Sequence, residues 1–162
     1  MSITDVVKDH ENLTLTVTAE YDVDAERAWQ LWADPRQLER WWGPPTYPAT
    51  VVDHDLVPGG RVSYFMTSPE GEKYHGYWDV LEVEAPRRLL VSDGFADDTG
   101  TADAGMPTTS MLVTIADRAG GGVVVSIESR FPSLEAMQQL EAMGMDEGLR
   151  VSMGQIDAVL AD

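Results

Sequence analysis

The stretch LTLTVTAEYDVDAERAWQLWADPRQLERWW, residues 13–42, decides how the chain begins to fold. Residues 13–19 alternate apolar and polar side chains, which is the period of a strand with one buried face. Asp24 is placed to cap a helix over residues 25–32. Asp34-Pro35 then ends that helix and begins another over residues 36–42, because proline suits a first helical turn. The stretch therefore predicts one strand followed by two short helices.

Downstream of this stretch the pattern changes to strands separated by turns. We predict six strands, over residues 50–56, 61–67, 73–84, 89–95, 111–116 and 123–130. Gly76 is expected to form a bulge or bend within its strand, and residues 97–108 are typical of a surface loop. Ser133 is a candidate cap for a C-terminal helical segment, whose apolar side chains recur at steps of three and four. This order predicts an α+β fold with an antiparallel sheet of about seven strands, two short helices and a long C-terminal helix.

Composition limits the classes of function. The chain has 162 residues and no cysteine, with 28 Asp and Glu against 11 Lys and Arg, a formal net charge of −17. The length predicts a single domain over residues 1–162, with its core over about 13–160. The acid excess argues against nucleic acid and anionic membranes as partners. No stretch is typical of a secretion signal or a membrane span, so we expect a cytoplasmic protein.

Several motifs, taken together, resemble one known family. They are YDVDAERAW (21–29), DP (34–35), LERWWGP (38–44), DLVPGGR (55–61), Gly76, PRRL (86–89), Gly148 and QID (155–157). In this order they resemble the START-like (SRPBCC) superfamily. They look most like its branch named after the C-terminal domain of the activator of the heat-shock protein 90 ATPase. The resemblance implies a helix-grip fold, in which a curved antiparallel sheet holds the C-terminal helix around an apolar cavity.

One residue departs from the pattern of that family. Many relatives carry Trp directly after the glycine of the last helix, whereas this chain has Leu149. The smaller side chain either leaves room in the cavity or is accommodated by repacking. Gly144 and Gly148 lie four residues apart, which favours a helix break with close packing.

Strand alternation and helical spacing, read together with the resemblance, predict which side chains line the cavity. The candidates are Trp42, Tyr47, Tyr64, Met66, Tyr77, Met111, Val113, Met145, Leu149 and Met153. Methionine suits a surface that adapts to varied apolar ligands, but it equally fills gaps in an ordinary core. A tyrosine hydroxyl can orient a ligand, or can stay in water above a buried ring. At least one tryptophan of the Trp41-Trp42 pair is expected to be structural.

Four side chains are candidates for acid–base chemistry: His75, Asp79, Asp93 and Glu128. The histidines are scattered, so we predict no metal site. The sequence contains no catalytic Ser-His-Asp spacing and no glycine loop that opens a helix to hold a phosphate. We expect no cofactor.

These observations favour a binding protein that holds a small apolar or amphipathic molecule between the sheet and the C-terminal helix. A homodimer is a possible assembly. The acidic charge predicts a preference for neutral or cationic ligands. An enzyme resembling the cyclases, dehydratases and hydrolases of the superfamily is the alternative. The family name also implies a cofactor of a chaperone ATPase, although relatives with that activity carry an additional domain that this chain has no room for.

Overall fold

Eight antiparallel strands form one curved, open sheet in the computed structural model, which describes residues 3–162. The strands are β1 (Ile3–Asp9), β2 (Thr14–Tyr21), β3 (Ala49–His54), β4 (Arg61–Thr67), β5 (Lys73–Glu84), β6 (Arg88–Ala96), β7 (Thr109–Asp117) and β8 (Val123–Arg130). Their order across the sheet is β1-β2-β8-β7-β6-β5-β4-β3. The α+β class and the antiparallel sheet are therefore confirmed.

Within residues 3–162, five helices accompany the sheet: α1 (Ala25–Ala33), α2 (Pro35–Trp41), α3 (Leu134–Ala142), α4 (Met145–Met153) and α5 (Ile156–Leu160). The predicted caps are confirmed, since the Asp24 carboxylate accepts a hydrogen bond from the Arg27 backbone N–H and the Ser133 hydroxyl accepts one from that of Ala136. The C-terminal helical segment is present but divided into three, with Gly144 in a left-handed conformation between α3 and α4.

Strand β1 was not predicted. Most of its residues are exposed, so its sequence lacks the alternation that a half-buried strand shows. It pairs only with β2 and forms one edge of the sheet. An edge strand of this kind is determined by its neighbour's backbone and leaves little signal in its own side chains.

The inner face of the sheet carries the fully buried side chains of the strands, among them Leu15, Val91 and Val113. Helices α1, α2 and α5 pack together, and α1 also contacts β7. They cover part of the inner face and form the core with Trp32 and Trp41. A second region of the inner face, where β6 ends and β7 begins, is left to α3 and α4.

Candidate functional site: a cavity under helices α3 and α4

A cavity of about 930 Å³ lies between the inner face of the sheet and helices α3 and α4. Residues from β4 to β8 form its floor, and residues 140–152 form its roof. Its sides are the segment that follows α2 and the loop between β6 and β7. Ligand pockets in proteins usually measure about 300–1,000 Å³, so this cavity has the size of a binding site for a small molecule.

Seven of the ten predicted lining residues do line this cavity: Trp42, Tyr47, Tyr64, Met66, Met111, Met145 and Leu149. Val113 and Met153 face inward as predicted but are fully buried in the core and do not reach the cavity. Periodicity predicts the face of an element, and it does not predict how far along that face the core ends and the cavity begins.

Tyr77 is the third exception, and its predicted orientation is wrong. On β5 the buried inner residues are Trp78 and Val80, so Tyr77 faces outward, where its ring covers Gly94. The irregularity in β5 lies at Leu81, between Val80 and Glu82, and not at Gly76. A bulge there shifts the alternation of inward and outward side chains by one residue. Residues 77, 79, 81 and 83, which regular alternation would place on one face, therefore do not share a face.

Gly76 has a different role from the predicted bulge. It pairs with Tyr64 across β4 and β5, and the Tyr64 ring lies directly over it. A Cβ atom at residue 76 would stand only 2.5 Å from the Tyr64 hydroxyl oxygen. The glycine therefore allows the Tyr64 ring to lie flat on the sheet inside the cavity.

The two adjacent tryptophans after α2 have separate roles. Trp41 is fully buried, and its indole N–H donates a hydrogen bond to the Leu31 carbonyl at 3.0 Å, so it is structural. Trp42 lines the cavity and stands nearly perpendicular to both Tyr64 and Trp78, with ring centroids 6.0 and 4.9 Å away. The Gln155 side chain fixes the end of this turn by donating to the Gly43 carbonyl at 2.7 Å.

Asp93 is the one carboxylate on the floor of the cavity among the described residues. It faces inward from β6, and Tyr64 Oη donates a long hydrogen bond, 3.4 Å, to its Oδ1. Burial raises the pKa of Asp93 to about 7, and the hydrogen bond from Tyr64 opposes this shift. Its side chain is half-buried and faces the cavity.

The neighbours of Asp93 make a small polar group in apolar surroundings. Burial first, and then the Asp93 charge, raise the pKa of Tyr64 well above its usual value. The Trp42 indole N–H opposes that rise, although it makes no hydrogen bond of normal geometry in the described part of the chain. Tyr64 therefore stays a neutral donor to Asp93.

The other acid–base candidates lie elsewhere. Asp79 and Glu128 are on the outer face, where they pair with Arg61 at 2.8 Å and Arg130 at 3.3 Å. His75 reaches the edge of the cavity, but its ring packs against Phe65 with centroids 5.7 Å apart. Of the four candidates, Asp93 alone is inside.

Three buried hydroxyl residues on the walls were missed by the sequence analysis: Thr109, Ser129 and Ser152. A signal for Ser129 was present, because it continues the inward series of Val123, Val125 and Ile127 in β8. A polar residue at an inward position of a buried strand is itself an indication of a polar site.

The exposed part of the lining forms the cavity mouth, which is defined by Lys73, Tyr74, Asp97, Asp98 and Asp103. Asp97 accepts hydrogen bonds from the Thr99 hydroxyl and from the backbone N–H groups of Thr101 and Thr99, which shape the loop and hold the pKa of Asp97 below its usual value. The mouth therefore carries more negative than positive charge.

Comparison with known proteins identifies the family. Residues 22–161 match the family described as "Activator of Hsp90 ATPase homolog 1-like protein". The chain belongs to this family. Membership places it in the SRPBCC superfamily, whose fold typically holds ligands in a cavity. The description of the family names activation of the Hsp90 ATPase. For this chain that activity stays a prediction.

Solved structures agree with this assignment. The chain is similar to protein Ms6760 from Mycobacterium smegmatis, with 48% identity over 98% of this chain and 96% of that one and a TM-score of 0.89. A protein from Arthrobacter aurescens is 44% identical over 99% and 92% of the two chains, with a TM-score of 0.93. The AHSA1 protein from Silicibacter pomeroyi, at 23% identity over 91% and 97% and a TM-score of 0.70, shares the fold. No curated protein matches the sequence.

Leu149, where the sequence departs from the expected pattern of the resemblance, lies in the cavity roof beside Gly144 and Gly148. A Cβ atom built at either glycine would meet no atom within 4 Å. Neither glycine is therefore held to its small size by a crowding neighbour, and neither contributes a side chain to the roof.

Two further observations bear on the classes of function. Within residues 3–162, no three His, Asp or Glu side chains are grouped so that they could hold a metal ion. None of the described helices is long and apolar enough to span a membrane.

Proposed function

We propose that this chain binds a small apolar or amphipathic molecule in the cavity between the sheet and helices α3 and α4. The observation that carries the proposal is the cavity of about 930 Å³ with mainly apolar and aromatic walls. Burial of a ligand's apolar surface there would contribute about 25 cal/mol per Å², which makes burial the main source of affinity. The few polar groups, Asp93 and the buried hydroxyls, would set the ligand's orientation.

The open roof supports the proposal. A close-packed interior leaves few voids larger than a water molecule, because lost packing contacts cost stability. Here Gly144 and Gly148 leave the roof without side chains at two positions, and Met143 and Met145 beside them are flexible. Space of this size is more readily explained by an occupant than by imperfect core packing.

A panel of compounds tests this function by thermal shift. The panel contains single-chain lipids, polyketide-like aromatic compounds and steroids. A ligand of the native state raises the melting temperature in proportion to the logarithm of its concentration above Kd. We expect at least one class to do so, and a flat response across all three classes would contradict the proposal.

A substitution in the roof tests whether the ligand binds in this cavity. Gly148→Leu adds a large side chain at a roof residue that lines the cavity, and we expect it to abolish most of the ligand-induced shift. Val151→Leu is the matched control, because Val151 lies on the same helix, is exposed and does not line the cavity. A shift that survives Gly148→Leu in full would place the ligand elsewhere.

An enzyme is the second candidate, and the position of Asp93 favours it. A carboxyl group whose pKa lies near 7 can both give and take a proton at neutral pH, as general acid–base catalysis requires. The test incubates each stabilising compound with the protein and looks for a product by mass spectrometry. If the protein is an enzyme, we expect the wild type to form a product and Asp93→Asn to form none while it still binds the compound. If every compound stays unchanged, the enzyme hypothesis is wrong and only the binding function remains.

A further inference from the structure

We propose that the cavity selects organic cations, namely amphiphiles whose ammonium group pairs with the Asp93 carboxylate while the apolar body lies under α3 and α4. The inference rests on the proposed ligand-binding function and narrows it to one class of ligand. It is carried by three features of the cavity: an incompletely paired carboxylate, aromatic rings beside it, and an acidic mouth.

The first feature is the surroundings of Asp93. Its Oδ1 accepts from Tyr64, whereas its Oδ2 has no hydrogen-bond partner among the described residues. Asp93 is only half-buried and lines the cavity, so this oxygen can be reached by a ligand there. A carboxylate oxygen that faces an apolar cavity without a partner is costly, and a cation there removes the cost.

In the part of the chain that the structure describes, no cationic side chain faces Asp93. Tyr64 faces it from β4 and Thr109 is opposite it on β7. The roof residues that line the cavity carry no charge: Leu140, Met143, Gly144, Met145, Gly148, Leu149 and Ser152. The basic residues in the lining are Lys73 and His75, and both pack against Phe65, with Lys73 Nζ 4.6 Å from the ring centroid.

The second feature is the aromatic wall. Tyr64 joins Asp93 directly, and Trp42 stands against Tyr64 with ring centroids 6.0 Å apart. The negative face of an indole or phenol ring attracts a cation within about 6 Å, and the attraction is stronger when the cation is desolvated. A second aromatic pair, Tyr47 and Tyr74, stands at the mouth with centroids 6.1 Å apart. Both pairs suit an ammonium group.

The third feature is the charge at the entrance. Asp97, Asp98 and Asp103 line the mouth together with Lys73, on a chain whose formal net charge is −17. Such a field attracts cations and repels carboxylates and phosphates before they enter. Anionic ligands would also meet Asp93 itself. A neutral ligand would leave the Asp93 oxygen uncompensated or protonated.

The proposal has a consequence for protons. Burial raises the pKa of Asp93 to about 7, so at pH 6 the carboxyl is mostly protonated in the free protein. A cation pairs with the ionised form, and its binding at pH 6 therefore releases a proton from Asp93. As pH rises towards 7, the affinity for the cation increases by up to about tenfold per pH unit, and above pH 7 it levels off. The other titratable lining groups, Lys73, His75, Asp97, Asp98 and Asp103, lie at the mouth.

The test uses three probes with the same apolar chain: n-octylammonium, 1-octanol and octanoate, measured by isothermal titration calorimetry at pH 6 and pH 8. A hydrogen bond to a charged group contributes about 1.5–3 kcal/mol, so at pH 8 we expect n-octylammonium to bind at least about tenfold more tightly than 1-octanol. Octanoate should bind most weakly. Buffers of different ionisation enthalpy should report a net release of protons on binding of n-octylammonium at pH 6, and a smaller release at pH 8.

Two variants make the assignment to one side chain. Asp93→Asn should remove both the preference for n-octylammonium and the proton release, and should keep the affinity for 1-octanol, which also shows that the variant is folded. Asp79→Asn is the matched control, because Asp79 is on the outer face of the same sheet, and it should behave like the wild type.

The outcomes separate this inference from the proposed function. If 1-octanol binds as tightly as n-octylammonium, or the preference survives in Asp93→Asn, the cation proposal is overturned and the binding function stands. If neither 1-octanol nor n-octylammonium binds, the cation proposal also falls, and a flat response of the wider compound panel then overturns the binding function itself.

Discussion

The fold gives the Asp93 side chain a raised pKa that could not be predicted from its position in the sequence. In LLVSDGFA, residues 89–96, it is one polar residue near the end of a strand. The fold turns it inward beside Tyr64 and covers it with α3 and α4. The resulting desolvation, and no nearby charge, accounts for its raised pKa.

This pKa makes stability depend on pH in a defined direction. Because burial raises the pKa of Asp93 from 3.8 to about 7, the folded state binds more protons than the unfolded state between these values, and stability falls as pH rises across this range. Asp93→Asn removes that loss. We expect the variant's gain over the wild type to be larger at pH 8 than at pH 5, by roughly 2–3 kcal/mol.

Urea unfolding of the wild type and of Asp93→Asn at pH 5 and pH 8 measures this difference. Because the two proteins are compared at the same pH, the contributions of all other carboxylates to the free energy of unfolding cancel. Asp79→Asn serves again as the control, because its partner Arg61 and its exposed position give no reason for such a difference. An equal gain at both pH values would mean that Asp93 is ionised normally in the folded protein.

At the level of elements, the division of the C-terminal helical segment creates the roof of the cavity. The apolar periodicity of residues 134–160 continues across Gly144 and predicts a long helical segment, in which the Gly144 and Gly148 pair favours a break. Gly144 adopts a positive φ of 84° and separates α4 from α3. The break brings Met145, Gly148 and Leu149 over the floor strands.

The two roof glycines should respond oppositely to alanine. At Gly148, inside α4, alanine should stabilise the protein by about 0.5–1 kcal/mol, because a Cβ meets open space and alanine favours helix. At Gly144 alanine should destabilise it by roughly 1–2 kcal/mol, because the positive φ strains an L-residue. Chemical denaturation of both variants measures this, and stabilisation by Gly144→Ala would contradict the break between α3 and α4.

Individual elements also show what the sequence can and cannot predict. Alternation in β2, β4 and β8 matches their buried faces because these strands contain no bulge of their own, and the register shifts beside β2 and β4 lie in β1 and β3. The bulge at Leu81 carries no signal of its own, and it misled the assignment of Tyr77. Whether an inward residue such as Val113 meets the core or a cavity depends on helices far away in the sequence.

For the whole molecule, the sheet and the helices divide the interior into two parts. Helices α1, α2 and α5 seal one part as a core, while α3 and α4 cover the other without filling it. The large negative charge then bears on function only at the cavity mouth, where Asp97, Asp98 and Asp103 stand. Homodimerisation stays a prediction, because it concerns a second chain.

A crystal structure with the most stabilising compound of the panel tests the central claim most directly. We expect density for the compound between the inner face of the sheet and α4, in contact with Trp42, Tyr64 and Leu149. A compound bound on the outer face, or a cavity closed by inward movement of α3 and α4 onto the sheet, would contradict the account.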